Sequence, residues 1–146
     1  MAMSYPPKPK SQTALAAKLA KEVSAMAWIE DAHGNVLMVK QRRGRRLWTL
    51  PGGKVRTRES LADALTREVR EETGLRLLDA QPVAFYDRHE KGNLTILFRA
   101  HIRSGTPAVT REEEIEAIGF RAAPPKNSTP SLLYFWRSLR PAPRLN

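Results

Sequence analysis

Two periodicities divide the chain. Val23 to Glu30 (VSAMAWIE) alternates weakly between apolar and polar and predicts a strand. Val36 to Lys40 (VLMVK) is nearly all apolar and predicts a second, central one. Asp31 to Asn35 (DAHGN) between them reads as a turn, because Gly34 and Asn35 accept positive φ. At residue 61 the period changes to that of a helix. Leu61, Leu65 and Val69 form an apolar stripe, Ser60 with Asp63 begins a capping box, and Gly74 after Thr73 is a stop, so a helix is predicted from Leu61 to Thr73. Strand patterns return at Arg76 to Ala80, Pro82 to Arg88 and Leu94 to Ile102, the last two joined as a hairpin by His89 to Asn93. Ile115 to Phe120 predicts a last short strand. Ser131 to Arg140 predicts a C-terminal helix, apolar nearly all round at its start and so well buried, with Pro141 ending it. Thr13 to Glu22 (TALAAKLAKE) predicts a short helix after a disordered Pro- and Lys-rich tail over 1–12, and the tail from 141 is expected to fray. The pattern alone gives a single domain over 13–146, with one layer of sheet and helices packed on it.

The predicted central helix carries Glu68, Glu71 and Glu72 at i, i+3 and i+4. At about 100° per residue these carboxylates fan across one face, beside the apolar stripe and not opposite it. They therefore border the buried side, where a cleft can run. Clustered carboxylates repel one another unless something positive is near. Arg67, four residues before Glu71, is one candidate. A hard divalent cation is the other, since an oxygen-only set without cysteine or a nearby histidine suits Mg²⁺ or Mn²⁺ rather than Zn²⁺. Such an ion completes its shell with water and substrate phosphates, which points to phosphoryl chemistry.

Gly53, Glu59, Arg67, Glu68, Val69, Glu71, Glu72, Gly74 and Leu75 fit G-x5-E-x7-R-E-U-x-E-E-x-G-U, with U aliphatic, at every fixed position. This resembles the Nudix box of the Nudix hydrolases, the MutT-like pyrophosphohydrolases. The LW-x-LPGG run from Leu47 to Gly53 is similar to what precedes that box in many members. The resemblance implies the Nudix fold, an α/β class in which a mixed β-sheet is sandwiched between helices. It also implies a metal site of Glu68, Glu71, Glu72 and the backbone carbonyl of Gly52, with Mg²⁺ as cofactor and Mn²⁺ as an alternative. Catalytic roles would fall to Glu71 or Glu72 as the base and to Arg67 as the residue orienting glutamate, with Glu59 in support. Acidic loops like Glu112 to Glu114 supply a further ligand or base in some members, and nothing chooses among these three.

Upstream of the box, Gln41 to Arg46 places four arginines around one glycine. Arg42, Arg43, Arg45 and Arg46 read either as a solvated basic loop or as a phosphate clamp, because guanidinium forks match phosphate oxygens in pairs. Trp48 is expected in the core. Tyr86, His89 and His101 are read first as structural residues and second as base or ribose contacts.

Composition narrows the setting. The chain has 146 residues, no cysteine and a net charge of +10. No disulfide framework is available, so a reducing cytoplasm is expected. No apolar run reaches the length of a membrane span, the N-terminal stretch has Lys and Pro but no apolar core and is not expected to act as a secretory signal, and no membrane partner is expected. The basic charge attracts polyanions, and nucleic acid as a partner stays open beside a phosphorylated small molecule. Nothing in the sequence decides between monomer and homodimer. The family implies hydrolysis of a nucleoside diphosphate linked to another moiety, with a nucleoside di- or triphosphate as the first expectation. The alternatives are a more anionic substrate (a dinucleoside polyphosphate, a diphosphoinositol polyphosphate or an RNA 5′ end) and a non-catalytic nucleotide- or RNA-binding module.

Overall fold

In the computed structural model, residues 21–140 are described. The predicted tail over 1–12, most of the predicted helix from Thr13 and the C-terminal tail lie outside them. Glu22, the last residue of that predicted helix, instead opens the first strand.

Seven strands and two α-helices follow: β1 (Glu22–Trp28), β2 (Val36–Gln41), β3 (Trp48–Thr49), β4 (Gly52–Lys54), α1 (Leu61–Thr73), β5 (Arg76–Arg88), β6 (Asn93–Ser104), β7 (Ile115–Arg121) and α2 (Pro130–Leu139), with a 3₁₀ turn (His89–Lys91) between β5 and β6. A four-stranded sheet has the order β4-β1-β6-β5, and a three-stranded one the order β3-β2-β7. The first is mixed, because β1 runs parallel to β6 and antiparallel to β4. The α/β class with sheet between helices is as expected, although the sheet is divided in two. The turn at residues 31–35 closes as predicted, with Asp31 accepting from the backbone N–H groups of His33 and Asn35.

The two faces of the larger sheet carry two cores. One holds Ala25, Ala27 and Phe98 against Leu65 and Val69 of α1. The other holds Trp28 and Leu97 against Leu132 and Phe135 of α2. Trp48 is in this second core, with the Arg121 guanidinium 4.1 Å from its ring centre. The helix bounds of α1 match the sequence because the local signals agree. Ser60 accepts from the Asp63 N–H at 3.0 Å, and Gly74, at φ 74°, ends the helix with its N–H on the Arg70 carbonyl. Such a cap is worth about 1 kcal/mol.

Three differences have physical causes. β5 is one strand and not two, because register shifts near Leu77 and Pro82 absorb the break that the sequence suggests. Pro82 is tolerated since β5 is an edge strand. The LW-x-LPGG run contributes two short strands, paired by long-range contacts that local propensity does not reveal. α2 is buried on one side only: Leu132 and Phe135 are enclosed, whereas Tyr134 stays 41% exposed and stacks on Tyr86 at 4.1 Å between ring centres.

Candidate active site

α1 and β4 build the site together. The β1–β4 ladder runs through the Ala27 N–H to the Pro51 carbonyl and through the Val55 N–H to the Val23 carbonyl. In an antiparallel pair that alternation turns the polar groups of Gly52 away from β1, off the free edge of the sheet. The Gly52 N–H accordingly meets α1, donating to Glu72 Oε1 at 3.3 Å. Gly53 sits against Glu68: a Cβ there would fall 2.6 Å from the Glu68 carboxyl carbon. Two glycines thus let the sheet edge and the glutamate helix approach, the role expected of glycine where backbone must come close.

Glu68 and Glu72 line one cleft of about 890 Å³. Glu72 is only 5% exposed. Burial first, and the neighbouring Glu68 second, push its carboxyl up to about 9, while the Gly52 N–H pulls the other way. Removal from water and a like charge both disfavour the carboxylate form. Glu71 is turned elsewhere. It meets Arg67 at 3.4 Å and Arg111 in a closer ion pair, and it is not among the residues lining the cleft. Among the described residues, no three acidic or histidine side chains converge into a ready metal cluster. Arginines lie among these carboxylates: Arg111 also meets Glu114 at 3.0 Å and approaches Glu68 at 3.9 Å.

Arg67 is the hub of the helix side. Its Nε and Nη2 donate to the two oxygens of Glu59 at 2.8 and 2.9 Å, and its Nη1 donates to Glu68 at 2.7 Å. The pairing with Glu71 read from helical spacing exists but is the longest of these contacts. Glu59, whose direction the sequence left open, is thereby fixed. Its hydrogen bonds from Arg67, and then from the Arg56 N–H, hold its carboxyl down to about 2. A carboxyl pKa depressed in the folded state adds stability above the unfolded value near 4.5, and that stability is lost as pH falls through 2. The melting temperature of Glu59→Gln is therefore expected to lie below the parent's by a constant gap above pH 4.5, and the gap to close between pH 4.5 and 2. Melting curves over this range check it; a gap that is flat with pH would mean that the ion pair contributes nothing.

The four-arginine loop does not act as one unit. Arg43 lines the cleft. Arg42 and Arg43 donate from Nε to the carbonyls of Glu112 and Glu113, at 2.6 and 3.2 Å. Arg46 pairs with Glu116, and Arg45 lines a separate hollow with Lys126. The turn at 111–114 competes for these side chains, a contact across 70 residues. Of the acidic run, Glu114 reaches the cleft. His89 is exposed, and His101 meets Asp79 at 2.7 Å on a different surface hollow. Four cationic residues given no role by the sequence also line the cleft: Lys54, Arg56, Arg88 and Arg111. They come from three separate segments, around residues 54–56, 88 and 111, so no single local spacing marks them.

A family model described as the NUDIX domain matches residues 20–136. The chain is 35% identical over 98 residues to the 8-oxo-dGDP phosphatase NUDT18 of Danio rerio, a match covering 63% of this chain and 29% of that protein. It is 33% identical over 85 residues to the CTP pyrophosphohydrolase of Escherichia coli, covering 56% of this chain and 63% of that one. The chain thus spans less than two thirds of the length of these curated relatives. Among solved structures, a MutT NUDIX hydrolase from Burkholderia pseudomallei superposes with a TM-score of 0.69 at 30% identity, covering 78% of this chain and 94% of that one.

Proposed function

This chain belongs to the Nudix hydrolase family, and from that premise we propose that it is a Mg²⁺-dependent pyrophosphohydrolase acting on a nucleoside diphosphate linked to another moiety, a nucleoside di- or triphosphate first of all. The observation that carries the proposal is the cleft itself. Two carboxylates, Glu68 and Glu72, face one space rimmed by Arg43, Lys54, Arg56, Arg88 and Arg111. Burial and Glu68 disfavour the carboxylate form of Glu72, a cost that a bound cation offsets, and cations along the rim suit a polyphosphate. The names of the two relatives, a nucleotide phosphatase and a nucleotide pyrophosphohydrolase, support a nucleotide.

The donor set fits a hard divalent ion. Glu68 and Glu72 offer carboxylate oxygens on the cleft, and the Gly52 carbonyl is left free by the ladder to join them. Glu71 would join on leaving Arg111. When bound, the ion supplies charge neutralisation of the diphosphate and activation of water, and Mn²⁺ would serve as Mg²⁺ does. Arg67 orients Glu68 and Glu71 through its Nη1. Arg43, Arg56 and Lys54 bind phosphate oxygens from the cleft wall, and Arg111, once released from Glu71, adds a further donor. The proton of the attacking water has two candidate acceptors, Glu71 and Glu72.

A second reading keeps the reaction and enlarges the charge of the substrate to a dinucleoside polyphosphate, a diphosphoinositol polyphosphate or an RNA 5′ end. Arg43, Lys54, Arg56 and Arg111 on the cleft favour it. Among the described residues no helix is long and apolar enough to cross a membrane.

The test is a phosphate-release screen with Mg²⁺, with and without added pyrophosphatase. It covers nucleoside di- and triphosphates, nucleotide sugars, ADP-ribose, dinucleoside polyphosphates and 5′-triphosphate RNA. Turnover of nucleoside di- or triphosphates above the rest is the expected result. Silence across the panel in Mg²⁺ and Mn²⁺ would overturn the reading in favour of a binding module.

A further inference from the structure

The cleft has a far end that the hydrolytic chemistry leaves unused. Strand register places Lys54 beside Ser24, Ser24 beside Thr95, and Thr95 beside Tyr86. The neighbouring row runs from Glu22 through Asn93 to Arg88. Partners in register share a face, so Arg88 stands on the same side of the sheet as Ser24 and Lys54. Three inter-strand spacings separate β4 from β5, roughly 14 Å. Arg88 therefore lines the cleft from the wall opposite the Gly52–Glu72 edge. Between the walls Ser24 and Met26 of β1 line the cleft, and Ser24 Oγ accepts from Asn93 Nδ2 at 3.4 Å while Asn93 accepts from Thr95 Oγ1 at 2.9 Å.

Arg88 is also the one place among the described residues where a buried side-chain nitrogen, its Nε, has no hydrogen-bond partner. An unpaired buried donor is costly and calls for a reason. The neighbouring Glu90 is 3.7 Å from Nε, too far for a hydrogen bond but near enough to offset charge. The Tyr86 ring centre lies 5.8 Å from the guanidinium carbon and braces it.

We propose that Arg88 is a specificity-determining residue that reads hydrogen-bond acceptors on the nucleobase of the substrate, at the end of the cleft remote from the carboxylates. This rests on the nucleotide reading above. With the pyrophosphate at Glu68 and Glu72, the base is the part of a nucleotide that extends across the cleft. A guanidinium fork presents parallel donors suited to adjacent acceptors on a base edge. Glu90 makes a neutral acceptor the better partner than another phosphate, since its carboxylate would repel one.

Calorimetric titration without metal, using the four nucleoside monophosphates and ribose 5-phosphate, tests this without requiring turnover. The parent is expected to bind at least one monophosphate more tightly than ribose 5-phosphate. Arg88→Ala and Arg88→Gln should lose that preference, a fall of about tenfold or more for one good paired contact, and keep the affinity for ribose 5-phosphate. Arg88→Lys should behave like Ala, because it keeps the charge and loses the fork. In turnover, KM should rise with kcat nearly unchanged. Three results would each overturn the assignment: no base preference in the parent, equal losses for ribose 5-phosphate, or full rescue by Lys, which would mark a phosphate contact. Failure of the hydrolase reading would instead show as absent turnover with the base preference intact. The Gln and Lys variants keep much of the aliphatic stem, so the comparison survives if the Ala variant folds poorly.

Discussion

Glu72→Gln is expected to cut Mg²⁺-dependent turnover by roughly 10²–10⁴-fold, the range for losing a group that handles the proton or holds the cation, without unfolding the protein. Glutamine has nearly the same shape, and its side-chain oxygen can still accept from the Gly52 N–H. It replaces a carboxyl whose ionised form burial and Glu68 both disfavour, so that folding at neutral pH no longer requires this group to take up a proton. The variant's melting temperature in EDTA should therefore equal or exceed the parent's, the pattern of a residue kept for function at the expense of stability. A second readout separates metal binding from catalysis. An ion that binds the folded state alone raises the melting temperature by mass action. Added Mg²⁺ should raise it for the parent and much less for Glu72→Gln. Near-parent turnover, or an undiminished Mg²⁺ effect, would remove Glu72 from the metal site.

The second large effect is structural. In Gly52→Ala the new Cβ would lie 2.2 Å from the Ala25 carbonyl oxygen and 2.7 Å from the Met26 Cα, and Gly52 has φ +149°. Both obstacles are backbone in the middle of the sheet, so β4 cannot stay paired with β1. A loss of about 4 kcal/mol or more, at the extreme of single substitutions, is expected, seen as insoluble protein or a much lower urea midpoint. Gly53→Ala is the control. The three atoms nearest its Cβ would all be at the end of the Glu68 side chain, the closest at 2.6 Å, and that side chain can swing away. The fold should survive with a small change in midpoint, while turnover falls because Glu68 is displaced. Equal stability losses at the two positions would mean that Gly53 too is required by the sheet, and that the close approach to Glu68 is incidental.

What the sequence determined by itself is whatever depends on neighbours along the chain. Ser60, Asp63 and Gly74 fix the bounds of α1, because caps act over a few residues. Helical spacing puts Glu68, Glu71 and Glu72 on one flank, and the box residues carry the family. The turn at Asp31 and the hairpin after Arg88 were legible for the same reason. Tertiary structure alone decided how that flank is used. Glu72 became the buried carboxylate because β4 brings Gly52 against it from 20 residues away. Glu71 faces Arg111, 40 residues on, and so stands outside the cleft. Arg42, Arg43 and Arg46, equivalent as letters in a basic run, all meet partners 70 residues away, and of the three Arg43 alone lines the cleft. Arg88 enters the cleft only because β5 lies three strands across the sheet from β4. Charge pairing and burial depend on distance in space, and a sequence pattern carries distance only along the chain.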